Sequence, residues 1–489
     1  MNSEKNRVIN AVKWSIITEF VVKFISPISS MILARLLSPR EFGIVATVVM
    51  IVSLADIFTE AGFQRYIIQH IFSDTKDEEE SICVAFWTNL GISILLWLMI
   101  FVFSSSIAKI VGNPGMGRVI WIGALVLPLT SFSSIQMAVY KKNLNFKEIS
   151  WVRILIKLVP LVVVVPLAYL GFSFWSLIIG NIASELLSAI ILTARSNWKP
   201  KFFYSISKLT KMLSFCVWSI GEAFSSWLIS NLGIFIIGTM LSEYYLGVYK
   251  TATTIVSQII SIVTASTIGV LISALSSVQN NQQEYDKIYF AFLQGIGIIV
   301  IPLGVGMLLY SDLVCNILLG SQWNDAIVVV GVWGFILSES VIFNSMSGAV
   351  IISKGRPKEL FLANISQAIL MIPAFYIGAK FNFKKMVIIS SIVRIELCVV
   401  QTVIACKLSG INIFEIFKTI KKYVIATIVM SLLSIILLKK SDLILLQILS
   451  VFGCCLVYFL VLYILPDGRE ELKKYINSIK IRMAYKKKH

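Results

Sequence analysis

The sequence predicts an all-α polytopic membrane protein of about fourteen transmembrane helices. Three observations predict it. Hydrophobic residues make up 57% of the 489 positions and charged residues 14%, against roughly 25% charged in a soluble domain. Apolar runs recur along the whole length, each near the roughly 20 residues that cross a bilayer. Lys and Arg (43, against 26 Asp and Glu) gather in alternate short loops, with about a threefold bias to one side. Together with a mean hydropathy of +0.86, these exclude a soluble, disordered or coiled-coil chain. A net charge of +17 would suggest nucleic acid in a soluble protein. Here it is the charge of loops held inside, and no nucleic-acid partner is expected.

Taken in order, the apolar runs lie near residues 12–36, 41–62, 82–105, 117–139, 151–171, 174–194 and 211–238. They continue near 245–275, 288–310, 325–352, 360–380, 385–407, 421–438 and 442–465. Glu19 and Lys23 interrupt the first run, and no small-residue cleavage site follows. That pattern reads as a retained helix rather than a cleaved signal peptide. No connection exceeds about 20 residues, which leaves no space for a separate soluble domain. Basic turns at Lys141-Lys142, over 195–211, at Lys354-Gly355-Arg356 and in the tail at Lys486-Lys487-Lys488 put both termini on the cytoplasmic side. The tail, 466–489, is also placed to touch anionic headgroups, although topogenic charge alone explains it.

A weak internal repeat is visible. Leu37-Ser38-Pro39-Arg40-Glu41-Phe42-Gly43-Ile44 joins spans one and two, and Leu241-Ser242-Glu243-Tyr244-Tyr245-Leu246-Gly247-Val248 joins spans seven and eight. Val111-Gly112-Asn113 finds a counterpart in Leu319-Gly320-Ser321, and the turn at Lys141 in that at Lys354. The shared order, at offsets of roughly 204 to 213, implies a duplicated six-helix unit with an axis along the membrane normal. The expected organisation is an N-lobe over 1–200, a C-lobe over 201–410, and 411–489 as two added helices with a basic tail.

The chain lacks the residues of a catalyst. It has no G-x-x-x-x-G-K-[ST] loop, and Gly295, Gly297, Gly304 and Gly306 sit inside apolar runs, where they serve close helix packing. Seven Cys are scattered without a C-x-x-C pair, and His70 and His489 are the only His. No metal or other cofactor is expected. The outer loops, at 171–174, 242–245 and 311–324, are too short to hold a glycan-joining centre. The sequence reads as a transporter with no chemical step.

Charges inside the spans carry the functional information, since each costs roughly 2.5–3.5 kcal/mol at mid-bilayer unless it faces a cavity or a partner. Lys23, Glu185, Glu222, Glu339, Arg394 and Glu396 lie at mid-depth. Asp56 lies nearer the inner side of span two, Arg153 and Lys157 near the inner end of span five, and Arg35 at the outer end of span one. Glu19 and Lys23, at i,i+4, are spaced to neutralise each other. Arg153 and Lys157 are spaced to snorkel to headgroups. The carboxylates Asp56, Glu185, Glu222, Glu339 and Glu396 are candidates for binding a proton or cation. Pro27, Pro128, Pro160, Pro166, Pro302 and Pro373 fall within spans and kink them.

The stretch Ile32-Leu33-Ala34-Arg35-Leu36-Leu37-Ser38-Pro39-Arg40-Glu41-Phe42-Gly43 resembles the signature of bacterial polysaccharide flippases of the Wzx type, in the multidrug/oligosaccharidyl-lipid/polysaccharide exporter superfamily. The resemblance continues in Gly62-Phe63-Gln64-Arg65-Tyr66, Phe86-Trp87-Thr88-Asn89-Leu90, 141–149, Gly171-Phe172-Ser173-Phe174-Trp175, Leu246-Gly247-Val248-Tyr249 and Lys354-Gly355-Arg356-Pro357. It implies two six-helix bundles about a central cavity. It further implies a cargo of oligosaccharide on undecaprenyl pyrophosphate, moved to the outer leaflet of the inner membrane by ion-coupled alternating access. The product would feed lipopolysaccharide, capsule or exopolysaccharide synthesis, beside a polymerase and a chain-length regulator. In the similar lipid II flippase the last two spans form a groove for the polyprenyl tail, which the runs 421–438 and 442–465 would match.

A pyrophosphate calls for basic contacts. Lys23, Arg35, Arg153, Lys157 and Arg394 are the candidates, with Trp87, Trp218, Trp227 and Trp333 as faces for sugar. Relatives often carry an acid and an Arg on span seven, where this chain has Gly233 and Thr239. Two other readings stay open: an exporter of small cationic drugs on the same fold, favoured by the excess of buried acids, and a membrane polymerase or glycosyl transferase.

Overall fold

In a computed structural model the structure describes residues 2–60, 62–70, 72–196, 198–438 and 443–471, with some side chains inside helices left aside. The basic tail beyond 471 and the side chains of Glu222 and Trp218 lie outside the described residues. The chain is an all-α polytopic membrane protein. Twelve helices among the described residues are long and apolar enough to cross a membrane. The expectation was about fourteen. The two runs not among the twelve, α1 (Asn2–Leu36) and α10 (Ile206–Met240), are helical and contain positions outside the described set.

Two compact units divide the chain, 1–251 and 252–489. The first contains α1, α2 (Pro39–Glu60), α3 (Phe63–Gln69) and α4 (Thr75–Ile110). The helices α5 (Gly117–Gly123) and α6 (Val126–Lys142) then form one interrupted span. Another interrupted span runs from α7 (Phe146–Val159) through a wide π turn at Pro160–Val164 into α8 (Val165–Tyr169). Next come α9 (Phe174–Arg195), α10, and α11 (Glu243–Ser277), which runs on into the second unit. That unit holds α12 (Gln282–Leu309), α13 (Ser311–Leu318) and a span of α14 (Ala326–Val328), α15 (Gly334–Ser340) and α16 (Ser347–Ser353). Two π turns, Val329–Trp333 and Val341–Met346, bracket α15. The chain continues in α17 (Pro357–Phe381), α18 (Phe383–Ser409), α19 (Ile413–Leu438) and α20 (Ile444–Ile464).

Local chemistry sets the helix starts. Ser38, Pro39 and Glu41 form a capping box on α2: the Ser38 amide and hydroxyl both donate to Glu41 Oε2, at 2.5 and 2.8 Å. The Glu side chain thereby satisfies a donor that the first turn leaves open. Asp74 and Asn382 cap α4 and α18 by accepting from the amides of Asp77 and Lys385. Gly410, at φ +76°, ends α18 in the left-handed conformation glycine tolerates.

Packing follows membrane rules. Exposed Leu95, Leu98, Met99, Phe101, Val102 and Phe103 give α4 an apolar outer stripe suited to lipid. Its opposite face buries Ile82, Val84, Ala85 and Phe86 against α3, α6 and Trp198. The α17–α18 hairpin closes on a small residue, since a Cβ on Gly378 would lie 2.5 Å from the Cα of Met386. The repeat is legible in side chains. Lys142 donates to the His70 carbonyl and lies 3.8 Å over Phe72, while Lys354 donates to the Gln279 carbonyl and lies 4.3 Å over Tyr285. In each copy the basic turn is thus pinned to the loop before it.

Candidate functional site

Within the first unit a polar ladder climbs one face of α6. Lys141 Nζ donates to Gln64 Oε1 (3.2 Å), and Gln64 Nε2 to the Ser134 carbonyl (3.1 Å). Asn89 Nδ2 donates to Ser134 Oγ (3.0 Å), and Ser131 Oγ to Ser93 Oγ (2.6 Å). At the top Thr130 Oγ1 donates to Asp56 Oδ1 (3.3 Å). Asn89, Ser93 and Ser131 are fully buried. Such polar rungs are affordable inside a membrane bundle because they satisfy one another across helices. The ladder places Asp56 at the end away from Lys141, half-buried.

The basic candidates of this unit lie on α1 and α7. Arg153 NH1 pairs with Glu19 Oε1 at 3.2 Å, with both side chains about half exposed. Beside its local i,i+4 spacing to Lys23, Glu19 thus has a partner from α7, which packs on α1 through Trp14 and Trp151 at 6.2 Å between ring centroids. Lys157 is exposed one turn further on. Lys23 is half-buried on α1, Arg35 is exposed in its last turn, and Glu185 is half-buried on α9. Trp227 donates from Nε1 to Ser53 Oγ at 2.9 Å. Trp87 donates to the Lys201 carbonyl (2.8 Å) and stacks on Phe202 at 5.0 Å. In that same segment the Lys201 ammonium donates to Glu79, which holds its pKa above the ordinary value.

The second unit gathers more of the predicted residues. The Arg394 guanidinium lies over the buried Trp333 ring at 4.3 Å. Trp333 ends the first π turn and Glu339 lies in α15, between the two π turns, half-buried. π turns are rare and concentrate at functional sites. Here glycines permit the crowding: a Cβ on Gly331 would lie 3.1 Å from Ser311 Cβ, and one on Gly334 2.8 Å from Met307 Sδ. Glu396, two residues on from Arg394, turns to another helix and accepts from Ser366 Oγ at 3.0 Å. The two therefore point to different faces, as their spacing predicts. Gln401 to Asn364 (3.2 Å) and Ser347 to Thr402 (3.3 Å) extend this polar seam of α16, α17 and α18.

An apolar groove of about 590 Å³ lies in the same unit, lined chiefly by α12, α13 and α20. Pro302, Leu303 and Gly306 line one side, Val451, Phe452 and Phe459 the other. Its two tyrosines present rings rather than hydroxyls. Tyr310 OH bonds Ser450 Oγ (3.0 Å), and Tyr458 OH donates to the Ile298 carbonyl (2.9 Å). At the other end of α19 a buried pair, Lys422 Nζ to Glu471 Oε2 at 2.5 Å, borders a polar cavity of about 400 Å³. Tyr423 OH donates to both oxygens of the same carboxylate, at 2.7 Å each.

Sequence reasoning missed the π turns, α3 and α13, and Ser366 and Asn364 as neighbours of the charged seam. The polar residues were readable in an apolar span; their helix partners were not.

Comparison with known proteins fits this anatomy. Residues 32–328 match the family model for "Polysaccharide biosynthesis protein". The succinoglycan biosynthesis transport protein ExoT of Rhizobium meliloti (strain 1021) is 26% identical over 65% of this chain, which spans 64% of that relative's length. The lipopolysaccharide biosynthesis protein WzxC of Escherichia coli (strain K12) is 22% identical over 77% of the chain and 76% of the relative. Among solved structures, the lipid II flippase MurJ in an inward closed conformation superposes with a TM-score of 0.73, at 13% identity, over 93% of this chain and 98% of that one. An inward-facing multidrug resistance MATE family transporter of the MOP superfamily gives 0.62, at 13% identity, over 80% and 94%.

Proposed function

The chain belongs to the polysaccharide biosynthesis protein family, and on that premise we propose that it is a flippase. Its cargo is an oligosaccharide repeat unit on undecaprenyl pyrophosphate, moved from the inner to the outer leaflet of the cytoplasmic membrane. One observation supports this above the rest: a groove of about 590 Å³ with an apolar lining, in the unit that also holds an arginine on an aromatic face. Such a cargo has two phases, a wet anionic head and a long apolar tail. The groove takes the tail, which stays in hydrocarbon throughout and is held there by packing against the apolar wall, at about 0.1–0.2 kcal/mol per atom contact. Arg394 offers the pyrophosphate a planar fork, and Lys23, Arg35, Arg153 and Lys157 are the further basic candidates.

Transport runs by alternating access of an N-lobe (1–200) and a C-lobe (201–410), with both termini cytoplasmic. An ion gradient drives it through the candidate carboxylates Asp56, Glu185, Glu222, Glu339 and Glu396. Polymerase and chain-length regulator act downstream. No step makes or breaks a covalent bond.

The test is to delete the gene and analyse polyprenyl-linked intermediates in membrane extracts by mass spectrometry. The expected result is accumulation of complete repeat units on their carrier, facing inward by accessibility labelling, with loss of surface polymer. Normal intermediates and intact polymer, together with new drug sensitivity, would overturn the proposal in favour of a small-molecule exporter.

A further inference from the structure

The polar cavity and the apolar groove of the second unit stand one after the other along the same three helices. Gln294 of α12, Lys418 and Lys422 of α19, and Asp467 and Glu470 just past α20 line the cavity of about 400 Å³. Ile298, Met430 and Phe459 of those helices line the groove. The step from one to the other is about 6–12 Å on each helix, at 1.5 Å per residue. In the orientation proposed above, the cavity lies among the inner headgroups and the groove in hydrocarbon. Together they have the layout of a lipid site, polar at the interface and apolar beyond it.

Charge in the cavity is sorted by depth. Lys422 and Glu471 are deep, with side chains 12% and 8% exposed. An ammonium has three donors, and among the described residues that of Lys422 forms its ion pair with Glu471 alone. Its other donors sit at a nearly buried position, where an unmet donor is costly. The cavity therefore calls for an acceptor there. Lys418, exposed, adds a second cation. At the exposed rim Glu415, Asp467 and Glu470 form no ion pair among the described residues. Neighbouring Arg469 lies over the Tyr463 ring at 5.2 Å and does not line the cavity. A bare anion would reach the deep lysine only past these three like charges. A zwitterion fits both levels, with a phosphate on Lys422 and Lys418 and an ammonium among the rim carboxylates. Its acyl chains then enter the groove. A choline head has no N–H to give the carboxylates, and a glycerol head has no cation. Undecaprenyl pyrophosphate carries negative charge without a cation, so its head is not the group this cavity suits.

We propose that the cavity and the inner end of the groove form a binding site for an aminophospholipid, phosphatidylethanolamine. The site stands on the fold and its charges, and the flippase reading supplies only the leaflet. The test is native mass spectrometry of the purified full-length protein, titrated with phosphatidylethanolamine, phosphatidylglycerol and phosphatidylcholine of equal chain length. The first binds at least about fivefold tighter than either of the others, a difference of about 1 kcal/mol. Glu415→Gln, Asp467→Asn and Glu470→Gln together bring phosphatidylethanolamine and phosphatidylglycerol to within about twofold of each other. The comparison of lipids on the native protein carries the test without any variant. Equal binding of the three lipids, or a preference that the triple variant keeps, would overturn the proposal. So would a preference that appears only after Lys473→Gln, Lys474→Gln and Lys480→Gln, since the rim would then belong to the chain's own basic tail. Binding is read without cargo or export. A strain whose polymer never depended on the protein would therefore sink the cargo reading and leave this site standing.

Discussion

Gly306 offers a direct measure of the groove. A Cβ built there meets nothing within 4 Å, and the residue lines the groove wall. Gly306→Phe therefore fills the groove without pushing on the protein. The groove of about 590 Å³ holds about twenty methylene-sized groups at ~30 Å³ each, or about four isoprene units. A phenylalanine side chain displaces roughly seven of them into lipid hydrocarbon rather than water, so what is lost is packing contacts, about 0.1–0.2 kcal/mol per atom pair. At about two to three contacts per group, with about half kept on the open side, the loss is roughly 1–1.5 kcal/mol or about five- to tenfold in affinity. The assay is native mass spectrometry of the purified protein in nanodiscs, titrated with undecaprenyl phosphate in a phosphatidylglycerol background. Gly91→Phe is the control, since Gly91 also has open space at its Cβ but lies on α4, outside the groove. Unchanged polyprenyl binding by Gly306→Phe, or an equal loss in Gly91→Phe, would refute the reasoning.

Other consequences follow from single contacts. Arg394→Lys keeps the charge but loses the planar seat on Trp333, so export in a complementation assay should fall about three- to thirty-fold, matching ~0.5–2 kcal/mol. Trp333→Leu combined with it should cost no more than the worse single change, because the two act as one pair. Glu471→Ala strands Lys422, whose side chain is 12% exposed, and should lower stability by about 3–5 kcal/mol, read as a depressed Tm in detergent. Gly378→Val forces a side chain to within 2.5 Å of the Met386 Cα and should abolish the monodisperse peak in fluorescence-detected size exclusion.

Helix existence was legible because hydrocarbon imposes a single scale, about 20 apolar residues per crossing. The signature at Ser38–Gly43 was legible for two physical reasons the structure separates. Ser38, Pro39 and Glu41 start α2, and Gly43 makes room for Glu243 and Gly247. Other features carried no such mark. Pro160 opens a π turn, yet the turns at Val329–Trp333 and Val341–Met346 contain no proline. The first of them lies where neighbouring helices crowd Gly331 and Gly334, which is tertiary information. The helices α3 and α13 have 7 and 8 residues, far below a spanning window. Glu19 shows the limit most plainly. Its local spacing to Lys23 was visible, whereas Arg153 lies 134 positions away in sequence and reaches it only because α7 packs on α1.

For the proposed cargo, head and tail make opposite demands, and the chain meets them with different material. The tail never leaves hydrocarbon, so its groove needs no gate and can stand open to lipid at all times. That suits α20, a helix outside the duplicated pattern, whose groove wall shares no residue with the paired helix starts at Gly43 and Gly247. The head must cross hydrocarbon, so its path must be sealed on one side at a time. A seal of interlocked side chains would be costly to open, at about 25 cal/mol for each Å² of apolar surface exposed. Duplication bears on the fold here too, because a turn that places a glycine at one helix start places its twin at the other, and Gly43 and Gly247 each leave room for the backbone of the other's helix start.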